Sequence, residues 1–127
     1  EIEDKVYLFF NPVKGTVIEH FNVKKGHFGV DIVTKEGEPI KSVMDGTIVM
    51  ADYTTKSGFV VQIQHRNDLL SVYKHCSAVL KQTGEVVNAG DPIAVVGNTG
   101  ELTTGPHLHF ELWENGIPID PENHIIF

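Results

Sequence analysis

Apolar residues come in short runs broken by Gly, Asp and Asn, and no stretch keeps helical spacing for three turns. Ten segments rich in Val, Ile, Phe and Tyr read as strands. They are KVYLFF from Lys5, GTVIEHF from Gly15, GVDIVT from Gly29, PIKSV from Pro39, GTIVMADYT from Gly46, FVVQIQH from Phe59, LSVYKHC from Leu70, DPIAVVG from Asp91, HLHFELW from His107 and the short IPI from Ile117. Asp45-Gly46 and Asn115-Gly116 are hairpin signals, because both central residues of a primed turn take positive φ, which Asn, Asp and Gly tolerate best. The pattern therefore predicts an all-β fold, a single antiparallel β-sheet domain with hairpins.

Two segments look alike. GEPIKSVMDGTIVMA from Gly37 and GEVVNAGDPIAVVGN from Gly84 both run Gly-Glu, apolar pair, small-residue turn, second apolar strand. A duplication and the general likeness of any two hairpins explain this equally well. With no linker or low-complexity stretch, residues 1–127 are expected to form one domain, with 1–11 as a leading strand or arm.

Composition narrows the functional classes. An apolar share of 41% with 21% charged residues suits a folded globule. Ten basic against seventeen acidic residues give a net charge of -7, which repels a phosphate backbone, so no nucleic-acid partner is expected. No apolar run is long enough for a membrane helix, and EIEDKVYLFF has no signal-peptide pattern. The chain begins without Met, so a mature or excised segment is expected. The lone Cys76 excludes an internal disulfide and a multi-thiolate metal site.

The chemistry concentrates in histidines. In TGPHLHFE, strand alternation turns His107, His109, Glu111 and Trp113 to one face and Leu108, Phe110 and Leu112 to the other, which must be the core side. Two imidazoles then stand about 7 Å apart at Cα, close enough to serve one ion or one reacting group; two surface histidines are the plainer alternative. In GHFGVDI, His27 and Asp31 offer an imidazole nitrogen and a carboxylate oxygen, both accepted by zinc. On an extended strand their Cα atoms would lie about 13 Å apart, so the backbone must bend between them, as Gly29 permits. In VYKHCS, alternation groups His75 with Tyr73 and Ser71 and sets Cys76 on the opposite face with Val72. His75 and Cys76 thus diverge, which argues against a thiol nucleophile, and no Gly-x-Ser-x-Gly elbow marks a serine one. His20, His65 and His124 have no partner at a telling spacing and read as partly exposed polar residues. The Gly-rich GNTGELTTG lacks a phosphate-loop ending and reads as a loop at the rim of the site.

HFGVD, YKHCS and GPHLHFE, in that order, resemble the lysostaphin/LytM-like zinc metallopeptidases, a family of peptidoglycan endopeptidases. GTVIEHF, GEPIKSVMDGTIV, GEVVNAGDPIAVVGNTG and NGIPIDPENHI are similar to the family's surrounding segments, so the resemblance covers about residues 12 to 125. It implies a duplicated-hybrid-motif sheet with an open groove holding zinc. By position, it makes His27, Asp31 and His109 the metal ligands and His75 and His107 the catalytic pair. Three protein ligands leave a fourth position for water, as a catalytic zinc requires. The implied substrate is the peptide part of peptidoglycan, stems or cross-bridges, and the implied location is extracytoplasmic, in the periplasm or cell envelope; a monomer is the working expectation. Tyr73 and Trp113 are candidates to line the groove, Trp113 the weaker because it lies farther from the histidines. Cys76 stands where an apolar residue is commoner in the family, and TGELTTGPH is one residue longer than the commonest form. The rival implied by the same family is a non-enzymatic activator of cell-wall amidases, a role associated with loss of the zinc residues. A sugar-carrier or lipoyl-like β module is a further alternative, resting on hairpin similarity alone, and it leaves His27 with Asp31 unexplained.

Overall fold

The computed structural model describes residues 7–97 and 105–127. Among them are ten strands: β1 (Thr16–Glu19), β2 (Val30–Val33), β3 (Pro39–Lys41), β4 (Gly46–Thr54), β5 (Gly58–Gln64), β6 (Leu69–Val79), β7 (Val86–Val87), β8 (Pro92–Val96), β9 (His107–Glu114) and β10 (Ile117–Ile119). All pairings are antiparallel, and the main path runs β1-β2-β9-β6-β5-β4-β7, with β10 beside β9 and β8 joining β3 to β6. The all-β, single-sheet expectation holds.

One face of the sheet makes the core. Val30, Ile32, Ile48, Val61, Ile63, Tyr73, Leu108, Phe110 and Leu112 pack there beneath Ile40, Val87, Ile93, Ala94, Val96 and Ile125. The wholly buried Leu108, Phe110 and Leu112 alternate with the polar residues of β9, and each contributes about 1.5–3 kcal/mol by leaving water. This alternation fixes the register: a one-residue slip would put three large apolar side chains into the groove and the histidines into the core.

Asn115-Gly116 forms the expected hairpin between β9 and β10, with φ of 52° and 77°. Asp45-Gly46 does not, because β3 and β4 do not pair with each other. The two look-alike segments instead pair crosswise: β3 of the first with β8 of the second, and β4 of the first with the two-residue β7 of the second. Each ladder thus takes one strand from each segment, which local hairpin logic cannot anticipate. Residues 7–10 of the expected KVYLFF strand run without regular pairing, held by a hydrogen bond from Phe10 N–H to the Val43 carbonyl, while Lys5 and Val6 lie outside the described residues. The strand expected at GTVIEHF stops at Glu19.

Candidate metal centre and its groove

The opposite face of the same strands is open and polar. Asp31 lies directly across from His109 in the β2–β9 ladder, and Lys74 lies across from His109 in the β6–β9 ladder. Opposed residues share a face, so one row of the sheet delivers Asp31, His109 and Lys74 side by side. Together with His27, His75, His107 and Glu111 they line a pocket of about 450 Å³, walled by Glu19, Gly26 and Phe28 on one side and Lys56 and Ser57 on the other. The rim loop expected over GNTGELTTG falls mostly at 98–104, outside the described residues.

His27 reaches this row because the chain bends at Gly29 before β2 begins, as the spacing required. Gly29 is needed for a second reason. A Cβ there would lie 2.4 Å from the Phe110 carbonyl oxygen, so any larger residue would push β2 off β9.

His27, Asp31 and His109 each turn one ligand-type atom to a common point, the three atoms lying within 4.8 Å of one another. His27 is oriented by its Nδ1–H, which donates to the His20 carbonyl oxygen at 2.9 Å. Its Nε2 is buried without a hydrogen-bond partner and faces Asp31 Oδ2 at 3.3 Å. A ring nitrogen and a carboxylate oxygen enclosed together without a hydrogen bond are well served by a cation that joins them. Two imidazole nitrogens and a carboxylate oxygen form the donor set of a three-ligand zinc site, so the residues present fit that metal.

His109 is held at both ring nitrogens, by Asp31 on the side of the cluster and by Glu111 behind. Its Nδ1 meets Asp31 Oδ1 at 2.6 Å and its Nε2 meets Glu111 Oε2 at 2.7 Å. Glu111 is itself held by the Trp113 indole N–H at 2.8 Å and by Lys74 Nζ at 3.4 Å. Such an outer carboxylate fixes the imidazole's tautomer and aim. Burial alone would raise Asp31 and Glu111, but hydrogen bonds from His109 outweigh it, aided at Glu111 by Trp113, and both carboxyls titrate below their ordinary range. Burial alone would lower His109, but its bonds to the two carboxylates prevail and raise it. Sequence reasoning placed Glu111 on the correct face without giving it a task; the i, i+2 spacing from His109 was the available signal.

His75 and His107 stand beside this trio, their ring centroids 5.1 Å apart and His75 6.3 Å from His109. The His107 Nδ1–H donates to the Gly105 carbonyl oxygen at 2.7 Å, which leaves Nε2 as the free acceptor. His75 arrives by a device the alternation rule cannot see. The β5–β6 register shifts by one residue between Phe59/Val61 and their partners, and His75 has φ 66° with its N–H bonded to the Ser57 carbonyl. This bulge reverses the expected face sharing: Tyr73 and Cys76 both enter the core while His75 turns to the groove. A non-glycine residue in left-handed backbone costs about 1–3 kcal/mol, and such strain concentrates at working sites.

Two further expectations change. Tyr73 does not line the groove; it is fully buried, its hydroxyl pushed up to about 12 by burial. Neither is His65 partly exposed: it is 5% exposed, with Nδ1 against the Asp45 carbonyl oxygen at 2.7 Å and Nε2 against Ser71 Oγ at 2.7 Å. Ser71 passes the chain to the Tyr73 hydroxyl at 2.8 Å, so His65 completes a buried polar network. His20 and His124 are exposed as expected, His20 beside Glu122 at 2.5 Å. Burial raises the Cys76 thiol to about 12, consistent with an inert core residue.

The match to known proteins agrees with this arrangement. Residues 25–121 match the model of peptidase family M23, and the chain belongs to that family. It is 38% identical over 111 residues to the peptidoglycan DD-endopeptidase ShyC of Vibrio cholerae, covering 87% of this chain and 24% of that protein. It is 36% identical over 112 residues to the murein hydrolase activator NlpD of Salmonella dublin, covering 87% of this chain and 29% of that protein. Among solved structures, a zinc-containing peptidase from Vibrio cholerae superposes with a TM-score of 0.84 at 31% identity, covering 90% of this chain and 39% of that one. The chain spans between about a fifth and a third of the length of the curated relatives it matches. The family therefore contains both named hydrolases and a named activator.

Proposed function

We propose that this chain is the metallopeptidase part of a zinc-dependent endopeptidase that hydrolyses peptide bonds in peptidoglycan, in an extracytoplasmic compartment. The observation that carries this reading is the unpartnered, enclosed His27 Nε2 facing Asp31 and His109 in an open groove beside two further histidines. His27, Asp31 and His109 would hold the metal. A zinc ion bound there supplies Lewis acidity toward a carbonyl and makes a water available as hydroxide near neutral pH.

The chain's own residues account for the rest. His107, oriented through the Gly105 carbonyl, presents Nε2 to the groove as a proton acceptor, and His75 faces it from the bulge of β6. One of the pair takes the proton from the attacking water and one delivers a proton to the departing amine. No serine or cysteine nucleophile is required, and Cys76 lies on the core side. A groove along a sheet accommodates an extended peptide.

The relationship to NlpD supports a second reading, activation of amidases without hydrolysis. Against it stands the full set of two imidazoles, a carboxylate and the adjacent histidine pair, which partner binding alone does not need. Metal analysis of the purified protein and of His109→Ala, followed by digestion of purified cell wall, separates the two. One zinc per chain and wall digestion that His107→Ala abolishes support the hydrolase. Absence of metal from both proteins, with stimulation of an added amidase, supports the activator.

A further inference from the structure

A second pocket, of about 460 Å³, opens on the same face of the sheet beyond the metal centre, lined by Gln64, Asp68, Leu70, Trp113, Asn115 and Gly116. Its floor continues the row logic of the site, because Leu70 lies across from both Trp113 and Gln64 in neighbouring ladders. Trp113 follows His109 by four positions on β9, about 13 Å along the strand. Phe28, which lines the metal pocket, packs against Trp113 with ring centroids 6.2 Å apart, so a single aromatic ridge joins the two pockets.

The chemistry of this pocket is acceptor-rich. Asp68 is exposed and its carboxylate has no hydrogen-bond or ion-pair partner among the described residues. The Gln64 amide nitrogen is already committed to the His65 and Leu69 carbonyls, at 3.0 and 3.1 Å, so the group it has to offer is its carbonyl oxygen. The third element is the indole of Trp113 beside Leu70. A carboxylate, an amide oxygen and an indole face next to an aliphatic side chain match one ligand class closely: a primary ammonium on an aliphatic stem. The ammonium has three donors and no acceptor, and it is attracted to both a carboxylate and the face of a Trp ring. No lysine or arginine lines the pocket to compete for Asp68.

We propose that this pocket binds a side-chain ammonium of the peptide substrate, two or three residues from the bond cleaved at the metal centre. Extended peptide advances about 3.3–3.6 Å per residue, so two or three residues and a long stem span the separation. The proposal rests on the peptidase reading of the neighbouring site, but its test does not.

Trp113 is the only tryptophan in the chain, so intrinsic fluorescence reports directly on the pocket without any hydrolysis. The whole chain is titrated with the blocked tripeptide acetyl-Ala-Lys-Ala-amide, with its Nε-acetylated analogue and with the N-acetylglucosamine dimer. A saturable change with the free-amine peptide only, weakened about five- to tenfold in Asp68→Asn, is expected. Asp68 has φ 55°, a conformation that Asn adopts as readily as Asp, so this variant keeps the turn. Equal responses to the two peptides, a response to the sugar alone, or an affinity unchanged in Asp68→Asn would overturn the proposal. In wall digestion, Asp68→Asn raises KM and leaves kcat unchanged. Loss of all hydrolysis in the parent chain with ammonium binding intact would count against the peptidase reading instead.

Discussion

His27 and His65 are both enclosed imidazoles just beyond the end of a strand of the same sheet, and their surroundings differ in one respect. His65 has both nitrogens occupied by the protein, one at the Asp45 carbonyl and one at Ser71 Oγ. His27 has one nitrogen occupied by the His20 carbonyl and the other buried without a hydrogen bond, facing a carboxylate. A histidine such as His65, whose two nitrogens meet a backbone carbonyl and a hydroxyl with no other ligand-type atom converging on them, is finished as structure. One held by a single nitrogen, with its second aimed at other ligand atoms, is prepared for something that is not protein. The spacing from Asp31 already set His27 apart in the sequence; the hydrogen-bond account of each ring gives the physical reason.

The largest effect comes from removing a member of the His27 group. His109→Ala is expected to take metal content from one ion per chain to none and to abolish wall hydrolysis, while His65→Leu leaves metal content at one. Elemental analysis of the two variants side by side breaks the comparison if both lose the ion. Next, His107→Ala or His75→Ala is expected to lower kcat by about 10²–10⁴-fold with the metal retained, as for removal of a general acid or base. Loss of metal in either variant would move that residue into the ligand set.

A smaller effect tests the support behind His109. Glu111→Ala is expected to weaken metal affinity by about 10–100-fold in a chelator competition, with partial recovery in Glu111→Gln, which keeps an acceptor for His109 Nε2. Acid acts in the same direction, because the proton shared between His109 and Asp31 occupies the place of the cation and competes with it.

The smallest effect belongs to His65. His65→Leu leaves Ser71 and the Asp45 carbonyl short of a partner and is expected to cost about 1–3 kcal/mol, read as a lower Tm. Burial holds the folded-state His65 below the ordinary imidazole value. The unfolded chain therefore binds this proton first as pH drops, and the stability His65 contributes is present above about pH 6.5 and lost progressively below it. The difference in Tm between parent and His65→Leu should shrink from pH 7.5 toward pH 5; a constant difference would show that His65 does not titrate with folding.

Strand alternation sufficed to put Leu108, Phe110 and Leu112 in the core and His107, His109 and Glu111 on the open face, because β9 is regular and half-buried. The bend at Gly29 was legible from the chemistry His27 and Asp31 have in common. What alternation could not supply was any feature that depends on a second strand. The bulge at His75 is set by the Ser57 carbonyl and by the register with β5, so Tyr73 was assigned to the wrong face and Cys76 grouped with the wrong neighbour. Val86-Val87 has too short an apolar run to specify its partner, which turned out to be β4. His65 looked ordinary because both groups that bury it come from elsewhere in the chain. The second pocket was equally hidden, since Gln64, Asp68 and Trp113 are brought together only by adjacent ladders.

The crosswise ladders carry a consequence for how the chain reaches this state. β4, β5 and β6 form a meander of neighbouring strands that can zip locally, whereas Ile40 meets Ala94 and Thr47 meets Val86 only after long intervening loops close. Contacts of high sequence separation form slowly, because the entropy of loop closure must be lost before they stabilise anything. The meander is therefore the expected nucleus. Substitutions within it, such as Val61→Ala, should slow folding, and substitutions in β3 or β8, such as Ile40→Val, should chiefly speed unfolding.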